Sequence, residues 1–138
     1  MANIDNLERQ HSDIKDLVSK IKQEVISSNI ALSLDTLVKN INTLSGKLNM
    51  HMSSEDKFLY PTLIESKDQQ LKQIAKQYSE EMGNIHIEFN DYKNNFNTKT
   101  KVLNNIDGFL KESKEIIKLV ENRISKEDIN LYPKIKAL

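Results

Sequence analysis

The sequence predicts an all-α fold, an up-down-up-down antiparallel four-helix bundle made of two pseudo-repeated helical hairpins. Three observations predict it. Apolar residues recur every three or four positions in four successive segments. Helix breakers are scarce, with three glycines and two prolines in 138 residues. A nine-residue motif occurs twice. The length suits one compact domain over residues 1–138.

In the first segment Leu7, His11, Ile14, Val18, Ile21 and Val25 alternate at spacings of four and three, the inward stripe of a helix running from about Asp5 to Ser27. Ser27, Ser28 and Asn29 supply turn chemistry. Leu34, Leu37, Ile41, Leu44, Leu48, His51, Glu55 and Phe58 then carry the stripe of a second helix to about Tyr60. Pro61 has no amide hydrogen and disfavours helical geometry at Tyr60, which predicts an end or kink there. Ile74, Tyr78, Met82, Ile85 or His86, Phe89 and Phe96 mark one face of a third helix from about Asp68. Residues 97–104 are polar and aperiodic, as in a connection. Ile106, Phe109, Ser113, Ile116, Val120, Arg123, Glu127 and Leu131 restore the period in a fourth helix that closes at Pro133. Short connections between such helices favour antiparallel neighbours.

The repeat relates the second and fourth helices. Residues 53–61 read SSEDKFLYP and residues 125–133 read SKEDINLYP, six of nine positions matching at a shift of 72. A shift of 75 carries His11 to His86, so the chain reads as two hairpins joined across Thr62 to Lys67. One mismatch stands out, because His51 aligns with Arg123.

Composition narrows the function. Twenty basic residues balance twenty acidic ones, which gives no charge footprint for nucleic acid or an anionic membrane. The absence of cysteine excludes disulfides, thiolate metal sites and thiol catalysis, and fits a reducing compartment. With a polar amino terminus and no apolar stretch near the roughly 20 residues that span a bilayer, a soluble, cytoplasmic protein is expected.

The chain has three histidines, and each lies on or beside the apolar stripe of its helix. His51 and Glu55 stand four residues apart on one face, and Glu127 holds the repeat-related inward position. An ionised glutamate in an apolar core is costly unless paired or metal-bound, and two approaching across a bundle repel each other. A divalent cation resolves both difficulties. Imidazole and carboxylate ligands without sulfur suit iron first, with zinc or manganese as alternatives. His11, His51, Glu55, His86 and Glu127 are the candidate ligands.

These residues resemble the haemerythrin-like family, the HHE cation-binding domains, whose signature is His, HxxxE, His, HxxxE, one element per helix. Here His11, the HMSSE of His51 to Glu55, and His86 match the first three elements, and EDINLYP carries the fourth glutamate. The resemblance covers nearly the whole chain. It implies that Glu55 and Glu127 bridge two irons, that the histidines complete the coordination, and that an open position receives dioxygen or a related small molecule. The oxygen carriers of the family place another histidine one turn from that of helix three; Met82 and Asn90 stand there instead.

The fourth histidine is replaced, since RISKE from Arg123 to Glu127 stands where HxxxE belongs. Arginine stays charged, has only donors and cannot ligate a metal. Three arrangements are open. Arg123 can pair with Glu127 or Glu55 in place of a second cation, or snorkel outward while a tyrosine such as Tyr78, another glutamate or water fills the gap, or leave a degenerate, empty site. Met50, Met52 and Met82 read as adaptable packing near the centre, Phe58 as core, and Tyr60 and Tyr132 as helix-end anchors. Three functions follow: a protein that binds, stores or senses iron, dioxygen or a small oxidant; an iron enzyme acting on peroxide or nitric oxide; or a metal-free helical interaction module.

Overall fold

A computed structural model of the chain describes residues 4–26 and 30–137, and every regular element among them is helical. The turn expected at Ser27, Ser28 and Asn29 lies outside the described residues. Helices α1 (Ile4–Ile26) and α2 (Ile30–Ser54) are followed by a π-helical turn, Glu55–Leu59, and the short α3 (Tyr60–Ile64). Next come α4 (Gln69–Phe96), the short α5 (Lys99–Asn104) and α6 (Ile106–Lys126), then a second π turn, Glu127–Leu131, and α7 (Tyr132–Lys136). Side chains cap the starts that follow loops. Asp68 accepts from the amides of Gln70 and Leu71, Thr98 from Lys101 and Asn105 from Gly108, each cap contributing about 1 kcal/mol.

The four long helices pack in a ring: α1 lies against α2 and α6, and α4 against the same two. An apolar cluster that includes Leu7, Leu59, Tyr60, Leu71, Tyr78, Leu131 and Tyr132 shows that α1 and α4 begin at the end where α2 and α6 finish. A larger cluster fills the rest of the interior, from Ile14 and Val18 to Phe96, Val102 and Phe109. Between the two lies a polar layer of His11, His51, Glu55, Arg123 and Glu127, each no more than 3% exposed. No helix among the described residues is long and apolar enough to cross a membrane.

The prolines do not end their helices. In each π turn a backbone bond spans five residues, from the Tyr60 amide to the Glu55 carbonyl and from the Tyr132 amide to the Glu127 carbonyl. The wider turn sets Pro61 and Pro133 at the start of a new helical segment, where the missing amide is no loss, and the chain continues to Ile64 and Lys136. The extra residue also changes which side chains face inward. Phe58, expected in the core, is 60% exposed, and Leu59 takes the inward place. Met50 likewise faces outward, whereas Met52 and Met82 are buried together with Ile85. Ile106 is exposed at the head of α6, and part of the expected connection at 97–104 is the short α5, pinned by the fully buried Val102.

Candidate metal centre

The inward stripes of α1 and α2 and the end of α6 deliver three side chains to one point. His11 Nε2, His51 Nε2 and Glu127 Oε1 lie within 4.8 Å of one another. The contacts are short: His11 Nε2 is 2.8 Å from Glu127 Oε1 and 3.0 Å from His51 Nε2, and His51 Nε2 is 3.4 Å from Glu127 Oε1. Glu55 Oε1 joins them, buried without a hydrogen-bond partner and 3.2 Å from His51 Nε2.

Residues outside this group fix its chemistry. His11 Nδ1 is 2.7 Å from Asp128 Oδ1, and His51 Nδ1 is 2.8 Å from Gln10 Oε1. Each acceptor takes the Nδ1 proton, so both rings turn Nε2 toward each other and toward Glu127. Lone pairs crowded so closely need positive charge between them, supplied by protons or by a metal ion. The oriented imidazoles, the unpartnered Glu55 oxygen and the absence of sulfur fit a divalent metal of the iron or zinc type.

Electrostatics without a metal express the same crowding. Burial works against charge on His51, but hydrogen bonds to Glu127 and Glu55 outweigh it and push the imidazole up to about 9. Burial and the charge of Glu127 push Glu55 up to about 8. Glu127 is also opposed by burial, yet hydrogen bonds from His11 and His51 and the Arg123 charge hold it well below the usual carboxylate range. The two glutamates therefore divide the roles, with Glu127 ionised and Glu55 holding a proton at neutral pH.

Arg123 sits on the far side of Glu127. Its Nη2 donates to Tyr60 Oη at 2.6 Å, to the Tyr78 carbonyl at 2.8 Å and to Glu127 Oε2 at 3.4 Å, and Nη1 reaches Glu81 at 3.5 Å. The guanidinium carbon lies 4.7 Å from the centre of the Tyr78 ring. Burial disfavours the charge, but Glu127 and the Tyr60 oxygen more than offset it. Arg123 thus pairs inward with Glu127 instead of snorkelling, and Tyr78 serves it through a carbonyl and a ring face.

His86 is not brought to the group. It is half-buried and lines a cleft of about 380 Å³ with Met52, Asp56, Tyr60 and Met82. Sequence reasoning missed four contributors. Gln10 and Asp128 orient the histidines, and the two tyrosines bind the glutamates crosswise. Tyr60 donates to Glu127 Oε2 at 2.9 Å, and Tyr132 donates to Glu55 Oε2 at 3.0 Å. Each tyrosine follows its own hairpin's glutamate by five residues, about 140° away from it on an α-helix. The π turn winds more slowly and brings both to the same side. The repeated E-x-x-x-x-Y-P spacing was the available signal.

Comparison with curated proteins found no match, and comparison with solved structures found none. The model of one family does match, the Hemerythrin HHE cation binding domain, over residues 2–135. That match covers nearly every helix of the chain and all the residues of the polar layer, so the chain belongs to the hemerythrin HHE cation-binding family.

Proposed function

We propose that the chain is a single-domain, up-down-up-down four-helix bundle that holds one iron ion through His11, His51, Glu55 and Glu127 and binds dioxygen or a related small oxidant there. The observation that carries a mononuclear reading is Arg123: its guanidinium sets a fixed positive charge against the outer oxygen of Glu127. His86, which a second metal would require, is not among the residues whose ligand atoms meet, and lines a cleft with Met52, Asp56 and Tyr60. A cytoplasmic location belongs to the same reading and is supported by the cysteine-free composition.

Iron bound there would supply a Lewis-acid centre and a reversible one-electron change. The chain's own residues do the rest. Asp128 and Gln10 hold the imidazoles with Nε2 inward. Tyr60 and Arg123 fix the Glu127 carboxylate, leaving Oε1 directed at the histidines. The apolar clusters on either side of the polar layer keep water from it.

Metal content tests the proposal. Wild-type protein loaded anaerobically with ferrous iron and desalted should retain one iron per chain. Two irons in the wild type would overturn the mononuclear reading. Retention of none would overturn the metal function itself.

A further inference from the structure

We propose that the cleft lined by Met52, Met82 and His86 is a second metal site, one that binds a single copper(I) ion through two thioether sulfurs and an imidazole nitrogen. The inference does not rest on iron at the His11 group, since it uses none of those residues.

Two packed helices supply the donors. Met82 and His86 stand four residues apart on α4, so they share one face with Cβ atoms about 5–6 Å apart. Met52 comes from the last turn of α2, which packs on α4, and its side chain clusters with Met82. All three line the cleft of about 380 Å³; the methionines are buried, at 8% and 4% exposure, and His86 is half-buried. Gly83 also lines it, and a Cβ there would meet nothing within 4 Å, so the space beside the donors is open.

Packing alone does not account for this grouping. The shifts of 75 and 72 that relate the hairpins carry Met82 back to Leu7 and Met52 on to Ile124, both of them buried hydrocarbons. The bundle thus fills the equivalent places beside His11 without sulfur, and sets two thioethers beside the histidine that the iron group leaves out. His86 makes no hydrogen bond or ion pair with any described residue, although Ser79 and Asp56 line the same cleft. Its ring nitrogens are uncommitted.

The donor set selects the ion. Thioethers are soft ligands that favour copper(I), and imidazole suits copper as well, whereas harder divalent ions are better served by carboxylates. The donors are neutral, so a monovalent ion brings less uncompensated charge into the cleft than a divalent one, and the exposed Asp56 on the lining offsets it. With no cysteine in the chain, no thiolate competes for the ion. Binding is a ligand exchange in which three lone pairs of the protein replace the solvent ligands of copper(I), with no change of oxidation state.

The experiment gives one equivalent of copper(I), as its acetonitrile complex under argon, to full-length metal-free wild type, the double variant Met52→Leu/Met82→Leu, His86→Gln and Met50→Leu. Retention against the chelator bicinchoninate is measured beside X-ray absorption at the copper edge. Wild type should retain one copper per chain with two sulfur neighbours and one nitrogen neighbour. The double variant, whose replacements conserve side-chain volume, should lose the sulfur neighbours and yield its copper to the chelator, and His86→Gln should yield it too. Met50→Leu, at an exposed methionine, should behave as wild type. Copper held by the wild type through nitrogen and oxygen alone, as the His11 and His51 pair would hold it, overturns the proposal. So does full retention by the double variant or by His86→Gln, equal loss in Met50→Leu, or no retention by the wild type. Should a variant fail to fold, the wild-type spectrum decides by itself. Iron loading of the same wild-type preparation is measured separately, so failure of copper binding leaves the iron reading standing.

Discussion

Replacing Arg123 by methionine in the metal-free protein asks whether the arginine stands in for a cation. Methionine fills most of the same volume, so the change removes charge and donors without opening a large cavity. Three partners lose their donor: Glu127 Oε2, the Tyr60 hydroxyl and the Tyr78 carbonyl. Breaking a buried ion pair from one side costs about 3–5 kcal/mol. Glu127 retains contacts to His11, His51 and Tyr60, which places the expected loss near the lower end, about 3 kcal/mol. At about 2.1 cal/mol/K per residue, the 138-residue chain has an unfolding entropy of about 290 cal/mol/K, so Tm should fall by about 10 °C. The assay is far-ultraviolet circular dichroism on chelator-treated wild type and variant at pH 7. Arg123→Lys should recover only part of the loss, since the ammonium keeps the charge but not the planar fork. Melting of Arg123→Met within about 2 °C of wild type would refute the reasoning.

Protons and metal compete for the same atoms, and the outcome depends on pH. His51 at about 9 and Glu55 at about 8 both carry protons at neutral pH when no metal is bound. Metal affinity should therefore rise by two to three orders of magnitude, roughly, between pH 7 and 9. Competition titration with a calibrated chelator measures this, and a flat profile counts against it. Stability of the metal-free protein should run the other way. Both folded values lie above the unfolded ones, so the His51 contribution is whole below pH 6.5 and lost as pH rises through about 9, and that of Glu55 is lost between pH 4.5 and about 8. Thermal melts of chelated protein from pH 6.5 to 9 should show a falling Tm. Asp128→Ala, which frees the His11 ring while removing a side chain that is 26% exposed, should lower metal affinity about 10- to 100-fold with the helical spectrum unchanged. Wild-type affinity in that variant would remove Asp128 from the account.

Much of the fold was legible because a helix with a steady period writes its inward face into the sequence. Leu7, His11, Ile14, Val18, Ile21 and Val25 are all buried as the spacing predicts, and Phe109, Ser113, Ile116, Val120 and Arg123 follow suit on α6, with Glu127 just beyond it. The same spacing puts His11, His51, Glu55, His86 and Glu127 among the inward-facing candidates, of which His11, His51 and Glu127 meet. It failed where the winding changes. A π turn inserts one residue, worth about 100° of rotation, and so exposed Phe58, buried Leu59 and carried Tyr60 and Tyr132 to the glutamates. Gln10 and Asp128 were illegible for another reason. Each stands next to a candidate ligand in sequence but serves a histidine on a different helix, which only packing reveals.

The crossed tyrosines make the two hairpins complementary halves rather than interchangeable copies. A self-paired C-terminal hairpin would set one Arg123 against another in the buried layer, a like-charge contact. A self-paired N-terminal hairpin would bring two copies of Glu55 together with no guanidinium to keep either ionised. Only the mixed pair offers one carboxylate an arginine and the other a phenol. The substitution at position 123 thus acts as a key between the halves, favouring the pairing of unlike hairpins over that of like ones.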